Sequence, residues 1–152
     1  MHTNAHLIEA LYAAIRDGKP DATAGCYAAD ARFRDIAFNL NGRESILQMW
    51  RMVCSRGVKV TFDSVAADEQ QGRGHWVASY TFSDTGRRVV NDIQSRFVFR
   101  EGLIIDHRDD CNALAWAKQA YGFPKGLFVG LIGPLRRCGA QKKLKEFIGK
   151  KP

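Results

Sequence analysis

At 152 residues the chain has the length of one domain, enough to bury a core without metals or disulfides. Apolar residues make up 45% and charged residues 26%, an ordinary globular mix, and no apolar run approaches the roughly 20 residues of a membrane span. The net charge of +7 belongs to the C-terminus: residues 125–152 carry eight basic side chains against Glu146 alone, while the 15 basic and 15 acidic side chains of residues 1–124 cancel, which speaks against nucleic acid as a partner of the body.

Met1 to Asn4 lack a basic stretch leading into an apolar one, so no secretory signal is expected. Cys26, Cys54, Cys111 and Cys138 are scattered and form no Cys-x-x-Cys pair. Together these features predict a cytoplasmic protein with reduced thiols.

Residues 3–17 read as a helix, with Leu7, Ile8, Leu11, Ala14 and Ile15 at three- and four-residue spacing. Gly18-Lys19-Pro20 stops it, and Asp21 can cap a short second helix to about Ala29. Ala31 to Phe38 alternates and predicts a short strand, and Asn41-Gly42 predicts a turn. Residues 43–55 form an amphipathic helix with Ile46, Leu47, Trp50 and Val53 on one side. From residue 58 the period becomes two. Strands are predicted at 58–62, 76–82 after Gly72-Arg73-Gly74, 87–100 and 103–111, joined by Gly-containing turns as antiparallel hairpins. Residues 112–121 return to a helical pattern. Helices followed by a run of antiparallel strands predict an α+β layout, with helices over one face of a curved sheet. The concave interior is a natural small-molecule site.

The tail has two parts. Residues 127–135 are almost continuously apolar, and Ala140, Leu144, Phe147 and Ile148 then recur at helical spacing among lysines. A basic amphipathic helix has three candidate fates: packing over the pocket mouth or a partner subunit, lying on an anionic membrane, or binding nucleic acid. No aromatics interleave with its basic residues, so nucleic acid is not expected. The chain thus divides at residue 124 into a domain and a tail of 125–152.

The segments Leu11 to Gly18 and Tyr27 to Asp35 resemble the opening of ketosteroid isomerase and its relatives. Phe97 to Asp109 resembles the last hairpin of the same superfamily, the nuclear-transport-factor-2-like proteins, and the likeness spans about residues 5–120. His107-Arg108-Asp109 followed by Trp116 to Gly122 is similar to a bacterial subgroup with SnoaL-like, polyketide-cyclase-like labels. The resemblance implies a cone-shaped curved antiparallel sheet with N-terminal helices on its concave face, the cystatin-like roll. It also implies a homodimer. The superfamily holds isomerases, cyclases, dehydratases, epoxide hydrolases and binders, so it does not fix the reaction.

The same resemblance places Asp35 on the isomerase's general-base aspartate and turns His107, Asp109 and Cys111 into the cone. Alternation then lines the wall with Phe33, Trp76, Ala78, Tyr80 and Phe82, and with Asn91, Ile93 and Ser95. Trp50, on the second helix, joins them as a ligand contact, although a tryptophan at helical spacing is more commonly core. The catalytic candidates are therefore Asp35, His107 and Asp109. An aspartate among aromatics gains proton affinity and can take a proton from carbon beside a carbonyl. His107 can relay that proton or polarise the carbonyl oxygen, and Asp109 can orient the imidazole or act as base.

Structural readings stand beside these. Asp35 can be a strand-end residue that caps a helix or pairs with Arg32 or Arg34, and His107 with Asp109 can be a satisfied buried pair. Tyr12 reads as packing. His2 and His6 lack a third ligand, so no metal is expected. No nucleophile motif, phosphate loop or cofactor fingerprint is present, so no cofactor is expected. The isomerase's oxyanion donors, a tyrosine and a protonated aspartate, align with Leu11 and with the neighbourhood of Ser95. Losing one such donor costs about a hundredfold or more in rate, which disfavours steroid isomerisation. Three function classes remain: a cofactor-independent acid–base enzyme acting on a small, largely apolar carbonyl compound, a non-catalytic binder or scaffold dimer, and a peripheral lipid-binding protein.

Overall fold

The computed structural model describes residues 1–150; Lys151 and Pro152 of the predicted tail lie outside the described residues, as does the side chain of Leu135. Helix α1 (Thr3–Arg16) begins where the Nδ1 of His2 accepts the backbone N–H of Asn4. It buries Ile8, Leu11, Tyr12 and Ile15. The short helix expected to reach Ala29 is instead a 3₁₀ segment, Pro20–Cys26, and strand β1 (Tyr27–Arg34) starts at once after it. Tyr27 pairs with Ile104, so sheet formation overrides the helix propensity of the alanines. A bulge between Tyr27 and Arg32 accommodates the change. The predicted strand to Phe38 ends at Arg34, and after a tight turn β2 (Asn39–Asn41) pairs back, Phe33 opposite Leu40.

Helix α2 (Arg43–Ser55) follows Gly42, whose φ of 94° suits glycine, and buries Ile46, Met49, Trp50 and Met52. Strands β3 (Lys59–Ala67), β4 (Gln71–Thr81), β5 (Arg88–Arg100) and β6 (Leu103–Asp110) complete a curved, unclosed sheet of order β2-β1-β6-β5-β4-β3. All its pairings are antiparallel except β1 with β6.

Gly72 and Gly74 lie inside β4 rather than in the turn before it. That turn is made by Asp68, whose Oδ1 accepts the N–H groups of Gln70 and Gln71. A β-carbon at Gly74 would stand 2.5 Å from the Tyr12 hydroxyl, and one at Gly72 would stand 2.7 Å from Ile8 Cδ1. The glycines let α1 press against the sheet.

The main core fills the space between α1, α2 and the concave face of the sheet. Helix α3 (Ala113–Tyr121), capped by the Asn112 side chain, leads to α4 (Lys125–Leu131) and α5 (Gly133–Gly149). The apolar run before the basic helix is thus itself helical. Leu144 is buried in the main core, with Ala140 and Phe147 packed against it.

Candidate active site

A cavity of about 200 Å³ lies between the concave sheet face and the helices α2, α3 and α5. Such a volume falls below the roughly 300–1,000 Å³ of pockets for drug-sized ligands, so its occupant is small. Strand alternation delivers Trp76, Ala78 and Tyr80 from β4, Asn91 and Ile93 from β5, and Asp109 from β6. Phe33, Trp50, Phe82 and Cys111 also line it, along with Met49, Met52 and Val53. Arg56, Asp84, Arg136 and Lys143 stand among the lining groups too, with Lys143 Nζ 2.7 Å from Asp84 and over the Phe82 ring.

Asp35 reaches the cavity from a turn rather than from within the expected strand to Phe38. It sits just beyond β1, and its Oδ1 accepts the backbone N–H groups of Ala37 at 2.7 Å and Phe38 at 2.6 Å. Its own N–H donates to the Phe38 carbonyl at 3.0 Å. The neighbouring arginines are engaged elsewhere, Arg32 with Asn39 and Arg34 with Asp106. Burial outweighs the two N–H donors and pushes the Asp35 carboxyl up to about 6. Its Oδ2 has no hydrogen-bond partner among the described residues.

Asp109 lines the cavity, but His107 and Ser95 lie one layer behind the wall, and His107 is 0% exposed. The hydrogen bonds around the imidazole run in one consistent direction. Trp50 Nε1 donates to the Tyr27 hydroxyl at 3.2 Å, and Tyr27 bonds His107 Nδ1 at 2.8 Å. His107 Nε2 meets Asp109 Oδ1 at 2.7 Å, and Ser95 Oγ donates to the same oxygen at 2.5 Å. A neutral imidazole with its proton on Nε2 satisfies every partner. Burial raises the Tyr27 hydroxyl's pKa well above its ordinary value, so it remains a donor. His107 therefore orients Asp109 and does not itself face a ligand.

Two polar groups on the wall were not singled out as donors from the sequence. Trp116 Nε1 donates to the Tyr80 hydroxyl at 2.6 Å, which leaves the Tyr80 proton free to be donated. Burial pushes that hydroxyl up to about 12, so it stays protonated. The indole N–H of Trp76 is buried without a partner among the described residues, a shortfall that a ligand acceptor would repair. Burial also pushes the Cys111 thiol up to about 11, which keeps it from acting as a thiolate nucleophile. Tyr27, Trp116 and Arg136 are further site residues that sequence reasoning did not place there. Tyr27 fell in an expected helix, and Arg136 lies in a tail whose docking no local pattern dictates.

The family model for the SnoaL-like domain matches residues 8–107. Solved structures similar to the chain include a putative polyketide cyclase from Xanthomonas campestris, 18% identical over 78% of this chain and 96% of that one, TM-score 0.66. An LEH-like epoxide hydrolase from M. tuberculosis is 18% identical over 85% and 95%, TM-score 0.65. Bal32a, from a soil-derived mobile gene cassette, is 21% identical over 78% and 96%, TM-score 0.69. At these identities the likeness shows the fold alone. No curated protein matches the chain. With two thirds of its length covered by that one family model and its architecture shared with these structures, the chain belongs to the SnoaL-like domain family.

Proposed function

We propose that the cavity binds a small, largely apolar carbonyl compound and that Asp35 removes a proton from the carbon beside the carbonyl. The observation that carries this reading is the Asp35 carboxyl itself. One oxygen is pinned by two backbone N–H groups, the other is unengaged, and its pKa is raised to about 6. A base tuned close to neutrality is both ionised and basic enough to act. Tyr80 supports the other half of the step, since its free O–H can donate to the carbonyl oxygen as charge builds there. The proton moves from substrate carbon to an Asp35 oxygen, the electron pair shifts onto the carbonyl oxygen, and return of the proton to either end gives exchange or isomerisation. Asp109, fixed by His107 and Ser95, supplies a second carboxylate on the wall. The kinship with a putative polyketide cyclase and an epoxide hydrolase fits acid–base work in such a cavity.

Deuterium uptake from heavy water, followed by proton NMR on a panel of small apolar ketones, tests the proposal. Wild-type protein should catalyse uptake beside the carbonyl for some members. Asp35→Asn should lower that rate by roughly a hundredfold or more while leaving affinity, read from tryptophan fluorescence, within about threefold. If ligands bind tightly and neither protein accelerates uptake, the cavity belongs to a non-catalytic binder.

A further inference from the structure

Helix α4 turns its large side chains the wrong way for a buried helix. Phe123 is 80% exposed, Phe128 62%, Leu131 68% and Ile132 46%. The cause is visible in its packing. A β-carbon at Gly126 would stand 2.5 Å from the Ala117 carbonyl oxygen, and one at Gly130 would stand 2.9 Å from Leu114 Cα. The glycine face of α4 therefore lies flush on α3, with Val129 buried beside it, and the bulky residues point outward. The stretch of chain that carries them is charged with one sign, and Asp84 from outside it pairs with Lys143. From Ala113 to Lys145 there are seven basic residues and no acidic one. Lys118, Lys125, Arg137, Lys142 and Lys145 are exposed.

We propose that α4 and the turn before it form a docking surface for an anionic lipid bilayer. Four bulky exposed apolar side chains, on a stretch of chain whose exposed charges are all cations, match the requirements of shallow interfacial insertion, apolar contact plus attraction to acidic headgroups. No helix among the described residues is long and apolar enough to cross a membrane, so the contact is peripheral. A second copy of this chain is a poorer occupant, because pairing these surfaces face to face would bring like charges together. The surface also adjoins the cavity. Tyr121 precedes Phe123 by two residues, Arg136 follows Ile132 by four, and both line the cavity. Docking thus sets part of the cavity wall beside the lipid. The proposal stands apart from the proton-transfer reading and survives its failure.

Co-sedimentation with phosphatidylcholine vesicles, with and without phosphatidylglycerol, tests it on the full chain. Binding is expected only to the anionic vesicles and should weaken as salt is added. Phe128→Ser with Leu131→Ser should weaken it by about tenfold or more. Lys125→Gln and Arg137→Gln should each weaken it about fivefold. These side chains are exposed, and an unchanged thermal melt confirms folding in each variant. Absence of binding to anionic vesicles overturns the proposal, as does full binding by the Phe128/Leu131 variant. Light scattering that shows a dimer dispersed by those two substitutions, in a protein indifferent to vesicles, overturns it in favour of self-association.

Discussion

Raising an acid's pKa on folding makes its ionisation a cost to the folded state. For Asp35 that cost is absent below about pH 4, where the side chain is neutral folded and unfolded, and it is complete above about pH 6. Asp35→Asn keeps an oxygen to accept the two turn N–H groups but cannot ionise. It should therefore stabilise the protein at pH 8 by up to about 3 kcal/mol and change little at pH 4, as urea unfolding at the two pH values would show. The same titration fixes the direction of any activity profile: turnover that needs the ionised carboxylate rises with pH through a midpoint near 6. Tyr27 offers a contrast, since its hydroxyl accepts from Trp50 and serves His107. Tyr27→Phe leaves a buried indole N–H and an imidazole nitrogen unpaired and should cost about 1–3 kcal/mol. Asp109 and Asp35 were legible as cavity residues through the family resemblance, which turned both into the cone. Tyr27 was not, because it fell in an expected helix, and the pairing with Ile104 that makes it a strand residue is long-range.

Among the elements, local pattern sufficed wherever the period ran unbroken. Helices α1 and α2 and strands β5 and β6 lie within one or two residues of expectation. It failed where long-range pairing or close approach decides. Strand β2 is three residues long and exists only because Phe33 and Leu40 meet across a turn. The Gly72-Arg73-Gly74 run looked like a turn and is instead a clearance for α1. Gly74→Ala should destabilise the protein by about 1–3 kcal/mol in chemical unfolding, since Tyr12 is enclosed and cannot retreat. The outer face of the sheet holds a liability of another kind. Arg34, Arg108, Arg96 and Arg73 stand directly opposite one another across four strands. Asp106 and Asp110 offset only part of that row, by pairing with Arg34 and Arg108. Like charges in register repel, so Arg96→Gln should raise the melting temperature by about 1–2 °C at low salt, with the gain vanishing as salt is added.

At the scale of the molecule, the family match ends at residue 107, whereas the cavity is completed by α3 and α5 from beyond it. Helical spacing put Leu144 on an apolar stripe and offered packing over the pocket mouth as one of its fates, but its burial in the main core rests on long-range contact that no local pattern dictates. Leu144→Ala should cost about 2–4 kcal/mol, and a chain ending at Ile132 should lose ligand affinity because Arg136, Gly139, Ala140 and Lys143 leave the wall. Segregation of charge, zero over residues 1–124 and +7 beyond, gives the protein a pronounced electric dipole moment. In the field of an acidic interface such a body experiences a torque before it touches anything. It would arrive pre-aligned, tail foremost, and its capture rate would depend on ionic strength more steeply than its residence time.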